Sequence, residues 1–123
     1  MEFTLHQIAE MLGVGDHNEK VKLLIDSLQS KEYGIQEAAA SALVSIENKK
    51  EDPRVIETLV SLLDRGIGLA IIAAKALDAD GIYKYNGVDL IDKLIEIYTK
   101  DARYSDPNRH KESIERLKAI KIK

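Results

Sequence analysis

Apolar residues recur every three or four positions along most of the chain, which is the spacing of one face of an α-helix. Five segments show this pattern, and each contributes one stripe. The stripes are Val21, Leu24, Ile25 and Leu28; Ile35, Ala39, Ala42, Leu43 and Ile46; Val55, Leu59, Leu62 and Leu63; Leu90, Leu94, Ile97 and Tyr98; and Ile114, Leu117 and Ile120. The stretch 68–79 is apolar almost all round, which predicts a helix buried on more than one side. The pattern therefore predicts an all-α chain.

Polar residues mark where the predicted helices begin. Asp16, followed by Glu19, has the spacing of a capping box, and Thr4 begins a short helix over 4–13 in the same way. The pairs Asp52-Pro53 and Asp106-Pro107 combine an N-cap carboxylate with a proline at the first helical position. These signals predict helix starts at four points along the chain.

A different start is predicted for the helix over 88–100. The residues from Gly81 to Gly87 are predicted to form a loop that carries Tyr83 and Tyr85. Asn86, at the end of this loop, is predicted to cap the helix that begins at Val88.

The helix GIQEAAASALVSI, from Gly34, returns 34 positions later as GLAIIAAKALDAD, from Gly68. A small-residue helix that recurs at a fixed period indicates a repeat array. The correspondence extends to the preceding helices, and its identical pairs are Val21/Val55, Ser27/Ser61, Leu28/Leu62, Gly34/Gly68, Ala39/Ala73, Ala40/Ala74, Ala42/Ala76 and Leu43/Leu77. We therefore expect one domain over 1–123, with a capping helix at 4–13 and repeats at about 17–48, 52–80 and 86–122.

The segments VKLLIDSLQSKEYGIQEAAASAL and VIETLVSLLDRGIGLAIIAAKAL resemble HEAT or HEAT-like repeats. In that family an apolar first helix precedes a short turn, an aliphatic residue and the pattern A-A-x-A-L. Gln36 and Ala70 stand where the family often has Arg. The resemblance implies a right-handed α-α superhelix, or solenoid, of about three antiparallel helical hairpins. Tetratricopeptide arrays share the 34-residue period and form a second possibility, although their aromatic packing positions are absent here.

Composition narrows the class of protein. Hydrophobic residues make up 45% of the chain and charged residues 32%, which indicates a folded domain. The chain contains no Cys, and no apolar run is long enough for a membrane span. The N-terminal sequence lacks the features of a signal peptide. We therefore expect a cytoplasmic protein without membrane association.

No motif for catalysis stands out in the sequence. His6, His17 and His110 are not followed by Glu, the pairing used by metal-dependent hydroxylases of HEAT-like fold. Phosphate-binding loops and dinucleotide fingerprints are also absent. The segment LHQIAEMLGV resembles the first half of a helix-turn-helix, but Glu19 occupies an apolar position of the recognition helix. We expect no enzymatic activity, no cofactor and no metal.

Protein–protein interaction is the function that the repeat resemblance implies. Stacked hairpins present their second helices along one face, which is a rigid surface for a partner. The residues expected to bind there, with the tyrosines of the 81–87 loop, are Glu37, Ser41, Lys75, Asp78, Tyr83, Tyr85 and Arg116.

An alternative function follows from the charge distribution. The net charge is −3, but residues 100–123 hold eight Lys or Arg against four Asp or Glu. A basic segment suits an acidic partner or nucleic acid. In this alternative the last helix binds nucleic acid through Arg103, Arg109, Lys111, Arg116 and Lys118.

Overall fold

The computed structural model describes residues 16–46, 51–103, 106 and 108–122, and over this part the chain forms six α-helices and one small sheet. The elements are α1 His17–Ser27, α2 Tyr33–Val44, α3 Pro53–Leu62, α4 Ile67–Ala79, β1 Lys84–Tyr85, β2 Val88–Asp89, α5 Ile91–Arg103 and α6 Lys111–Ile122. The prediction of a helical chain is confirmed, apart from the two strands. The predicted helix over 4–13 lies outside the described residues.

The chain divides into two compact units, Met1–Thr58 and Leu59–Lys123, which we describe separately. In the first unit α1 packs against α2. Five apolar residues in or directly after these two helices are no more than 1% exposed and belong to the predicted stripes: Val21, Leu24, Leu28, Ala39 and Leu43. The burial of these stripes stabilises the helices, since most of a helix's stability in a protein comes from packing of its apolar face.

Carboxylates begin two of the helices, as predicted. The Asp16 side chain accepts a hydrogen bond from the Glu19 backbone N–H at 2.8 Å. Asp52 accepts one from the Arg54 backbone N–H at 3.0 Å. Each bond satisfies a backbone donor that the first helical turn leaves without a partner.

In the second unit α4 packs against α5, and α5 packs against α6. The buried residues of α4 are Leu69, Ala70, Ala73, Ala74, Ala76, Leu77 and Asp78. Spaced at 100° per residue, they cover most of the circumference of the helix. The prediction that this helix is buried on more than one side is confirmed.

The 34-residue repeat of the sequence recurs in the burial of its residues. Val21/Val55, Leu28/Leu62, Ala39/Ala73, Ala40/Ala74 and Leu43/Leu77 are all at most 1% exposed. The helices α2 and α4 also begin 34 residues apart, at Tyr33 and Ile67. These five pairs therefore serve the same packing role in each copy, whereas Ser27 is 2% exposed and its equivalent Ser61 is exposed.

The start of the last helix differs from the prediction. Asp106 accepts a hydrogen bond from the Asn108 backbone N–H at 3.0 Å, but this bond leads into a turn at 108–110 and not into a helix. The helix itself begins at Lys111. An N-cap carboxylate stabilises an isolated turn in the same way as a helix, so the Asp-Pro signal alone does not distinguish them.

No helix within the described residues combines the length and the apolar composition that crossing a membrane requires.

Candidate interaction surface

A β-hairpin replaces the loop and cap predicted around Asn86. Lys84 pairs with Asp89 and Tyr85 with Val88 in antiparallel register, and the Leu90 backbone N–H donates to the Tyr83 carbonyl at 2.9 Å. The prediction that Asn86 caps a helix from Val88 is wrong. Asn86 and Gly87 have φ of +50° and +78°, which a two-residue hairpin turn of type I′ requires at both central positions.

The end of α4 directs the chain into this hairpin. Gly81, with φ of +69°, donates its N–H to the Asp78 carbonyl at 3.1 Å, and Ile82 donates its N–H to the Leu77 carbonyl at 2.9 Å. This pair of bonds is a Schellman motif, in which glycine adopts the left-handed conformation without a side-chain clash. The motif fixes the direction in which Tyr83 leaves the helix.

Asp78 lies at the centre of a side-chain network that joins α4, α5, α6 and Tyr83. Arg116 donates Nη1 to Oδ1 at 2.7 Å and Nη2 to Oδ2 at 2.8 Å. The Tyr83 hydroxyl donates to Oδ1 at 2.9 Å, and the Tyr98 hydroxyl donates to Oδ2 at 2.8 Å. The carboxylate therefore accepts two hydrogen bonds at each oxygen, which is how a buried charge is stabilised.

The pKa shifts in this network reflect its geometry. Burial raises the pKa of Asp78, but hydrogen bonds from Arg116, Tyr98 and Tyr83 outweigh it and hold the pKa below its ordinary value. Burial, and secondly the bond to Asp78, raises the pKa of both Tyr83 and Tyr98. The bond to Asp78 raises the pKa of Arg116. The network thus holds one carboxylate, one guanidinium and two neutral phenols.

The expectation that Asp78 lies on an exposed strip is wrong, because its side chain is only 4% exposed. Val44, the equivalent residue of the first copy, is half-buried. Tyr98 and Arg116 surround the Asp78 carboxylate, and they come from helices 20 and 38 residues further along the chain. Helical periodicity contains no signal for partners at that distance.

The other predicted binding residues were expected to be exposed, and some of them are exposed while others are half-buried. Glu37 and Ser41 are both exposed on α2, one turn apart, and Lys75 is exposed on α4. Arg116 is 49% exposed despite its bonds to Asp78, whereas Tyr83 and Tyr85 are half-buried in the hairpin segment. The structure brings together Asp78, Tyr83 and Arg116, with Lys75 one helical turn before Asp78.

A shallow, open groove lies beside the hairpin. Its lining comprises Gly81, Ile82, Tyr83, Lys84, Asp89 and Ile91. Val88, on the second strand, is 61% exposed, which is unusual for a β-branched apolar side chain. This end of the second unit therefore presents both polar and apolar groups to solvent.

The first unit contains a second polar cluster, which the sequence did not indicate. Asp52 accepts hydrogen bonds from the side chains of Arg54 and, at 2.9 Å, His17, while Arg54 also donates to Asn18 at 2.7 Å. The Arg54 bond, and secondly that of His17, holds the pKa of Asp52 below its ordinary value despite partial burial. The cluster links the start of α1 to the start of α3.

The remaining described histidine, His110, is buried. Its Nε2 lies 2.6 Å from Oδ2 of Asp101, and its ring packs against Tyr98 with 4.8 Å between centroids. No group of three or more His, Asp or Glu among the described residues is arranged to hold a metal.

Two of the basic residues in the nucleic-acid alternative are engaged in ion pairs. Arg116 is bonded to Asp78, and Arg109 lies 3.7 Å from Asp101. Lys111 and Lys118 are exposed on α6. Lys121, also on this helix, pairs with Asp92. The exposed basic surface of α6 is therefore smaller than the composition of the segment suggests.

Comparison of the chain with family models, with curated proteins and with solved structures finds no match in any of the three.

Proposed function

We propose that this chain is a protein-interaction module built from HEAT-like helical hairpins arranged as a solenoid. In this proposal a partner contacts the second helices of the hairpins and, in the second unit, the hairpin β1–β2. The warrant is the resemblance to a repeat family together with the geometry of the described residues.

The observation that carries the proposal is the agreement between the sequence repeat and the burial repeat. Ala39, Ala40 and Leu43 of α2 and their equivalents in α4 are buried, and Ser41 and Lys75 are exposed at corresponding positions. Rigid helices that each present an exposed strip suit recognition of a partner, since little conformational entropy is lost on binding.

The hairpin supports the same function. Tyr83 is held by Asp78 through its hydroxyl group, so its ring is already ordered before a partner arrives. Tyr85 and Val88 pair across the strands, and Val88 is largely exposed. Ordered tyrosine and exposed apolar area favour interfaces because they provide buried surface at low entropic cost.

The test is to capture partners from native cell extract with the immobilised chain, and then to map one purified partner by NMR shift perturbation. Shifts at Ser41, Lys75 and Tyr85 are expected. Charge reversal Lys75→Glu is expected to weaken binding by about 1 kcal/mol or more. The matched reversal Glu57→Lys, on the exposed side of α3, is expected to leave binding unchanged. Perturbations confined to 53–65 would contradict the proposed surface, and failure to bind any protein would contradict the function.

A further inference from the structure

The exposed strip of α4 carries a single charge, and that charge is positive. The residues of this helix that are exposed or half-buried are Ile67, Gly68, Ile71, Ile72, Lys75 and Ala79. Asp78 is the only acidic residue of the helix, and it is buried. Lys75 therefore stands alone among small and apolar neighbours on its own helix.

A second cation, Arg116, is bound to a neighbour of Lys75. Residues three apart on a helix have Cβ atoms about 5–6 Å apart, so Lys75 lies one turn from Asp78, and the Arg116 guanidinium is bound to the Asp78 carboxylate. Both Asp78 oxygens already accept two hydrogen bonds each. Lys75 forms no ion pair with another residue of the described chain. The Asp78 carboxylate is thus buried, whereas Lys75 is exposed and the Arg116 side chain is 49% exposed.

The neighbouring acidic residues offset little of the positive charge of Lys75 and Arg116. Asp89 lies opposite Lys84 in the hairpin, so these two charges offset each other. Glu115 is adjacent to Arg116 in sequence, but successive helical residues point about 100° apart. Glu112 is exposed on α6 one turn before Arg116, on the same side of that helix. Its removal is therefore an independent probe of the charge at this place.

We infer that the surface formed by Ile71, Ile72, Lys75 and Arg116, here called the Lys75 patch, binds an acidic amphipathic segment of a partner protein. The inference rests on the proposed function and specifies its partner. Carboxylates of the segment lie against Lys75 and Arg116, and its apolar residues cover Ile71 and Ile72. Charge complementarity between an acidic segment and the exposed Lys75, with the half-exposed Arg116, sets the choice of partner.

The mixture of charged and apolar residues in the Lys75 patch favours a peptide over a nucleic acid as its ligand. Nucleic-acid surfaces gain affinity from several cations that each contact a phosphate. The Lys75 patch has one lysine and one arginine already shared with Asp78, and its other members are isoleucines. An acidic amphipathic helix has carboxylates for the two basic residues and apolar side chains for the two isoleucines of this surface.

The test uses two fluorescein-labelled helical peptides that share leucine positions and differ only in carrying Glu or Lys at the polar positions. Fluorescence anisotropy with the full chain is expected to show binding of the acidic peptide and none of the basic one. Lys75→Glu is expected to weaken the acidic peptide about tenfold, and Lys75→Gln by less. The control Lys22→Glu reverses an exposed charge on α1 and is expected to have no effect. Glu112→Gln is expected to tighten binding about twofold.

Five results would overturn the inference. Equal affinity for the two peptides, or equal effects of Lys75→Glu and Lys22→Glu, removes the role of charge at this place. Tighter binding of a single-stranded DNA of about 20 nucleotides, lost in Lys75→Glu, assigns the surface to nucleic acid. A dimer in sedimentation that dissociates in Lys75→Glu assigns it to a second copy. A captured partner whose binding survives Lys75→Glu leaves protein binding as the function, but contradicts both the contact at Lys75 and the acidic segment.

Discussion

Arg116 donates two parallel hydrogen bonds to Asp78, from Nη1 and Nη2 to the two carboxylate oxygens at 2.7 and 2.8 Å. The carboxylate is 4% exposed and the guanidinium side chain 49% exposed, so the pair lies at the boundary between core and solvent. The two residues are not equivalent in this position. Loss of Arg116 leaves a buried charge, whereas loss of Asp78 leaves a cation that water still reaches.

The first prediction follows from that asymmetry. Arg116→Ala is expected to lower the free energy of unfolding by roughly 2–3 kcal/mol, since Asp78 remains buried with only the two tyrosine hydroxyls as donors. The matched control Lys118→Ala, on the exposed side of α6, is expected to change it by less than about 0.5 kcal/mol. Urea denaturation measures both. Equal losses for the two variants would show that the ion pair adds no stability.

The second prediction concerns pH. The folded-state pKa of Asp78 is lowered, so its contribution to stability is present above the unfolded pKa of about 4 and is lost as pH falls through the folded value. Wild type is therefore expected to lose stability below about pH 4 more steeply than Asp78→Asn, which cannot titrate at this position. Urea midpoints measured from pH 6 to pH 2 test this. Parallel curves for the two proteins would contradict it.

The third prediction compares the two Asp-Pro starts. Asp52→Ala is expected to cost about 1–2 kcal/mol, because Asp52 caps α3 and also binds the side chains of Arg54 and His17. Asp106→Ala is expected to cost less, about 0.5 kcal/mol, because Asp106 stabilises a turn and no helix start. Thermal unfolding of both single variants gives the order. A larger loss for Asp106→Ala would be inconsistent with the helix starts described.

The fourth prediction concerns two glycines. Gly81 has φ of +69° and no atom within 4 Å of the position that a β-carbon would occupy, so Gly81→Ala is expected to cost about 1 kcal/mol through backbone strain alone. Gly34 lies in the first turn of α2, also without a close neighbour, and Gly34→Ala is expected to stabilise the protein by about 0.5 kcal/mol. Opposite signs in chemical denaturation are the expected outcome. Stabilisation by Gly81→Ala would contradict the Schellman motif.

The fifth prediction concerns the close packing of α4. Ala73 is fully buried, so Ala73→Leu is expected to cost roughly 1–3 kcal/mol through overpacking. Ala79→Leu makes the same change at an exposed position of the same helix and is expected to cost less than about 0.5 kcal/mol. Denaturant melts of both variants distinguish packing from helix propensity. No loss in Ala73→Leu would show that the helix is not closely packed at this position.

The sequence by itself determined the helices and most of the core of this protein. These features depend on short spacings along the chain. Successive residues of the apolar stripe from Val21 to Leu28 are at most four positions apart, and the carboxylates of Asp16 and Asp52 cap backbone N–H groups within three positions. The repeat added a second constraint, because Ala39 and Ala73 occupy equivalent places and are equally buried. Local spacing is enough for such features, since a helix forms its backbone hydrogen bonds within four residues.

The hairpin at Asn86-Gly87 was also present in the sequence, as the dipeptide most typical of a type I′ turn. The same asparagine suits a helix cap, and the two flanking strands have only two residues each, too few to show alternation. The pairing of Lys84 with Asp89 decides between these interpretations.

Only the tertiary structure decided the surroundings of Asp78. Its helical position predicted an exposed side chain, and the equivalent Val44 of the first copy is half-buried. Arg116 and Tyr98 reach it from separate helices, and contacts between distant residues depend on how helices pack. The spacing of residues along one helix contains no information about that packing, which explains why the carboxylate expected on the surface lies at the centre of the second unit's polar network.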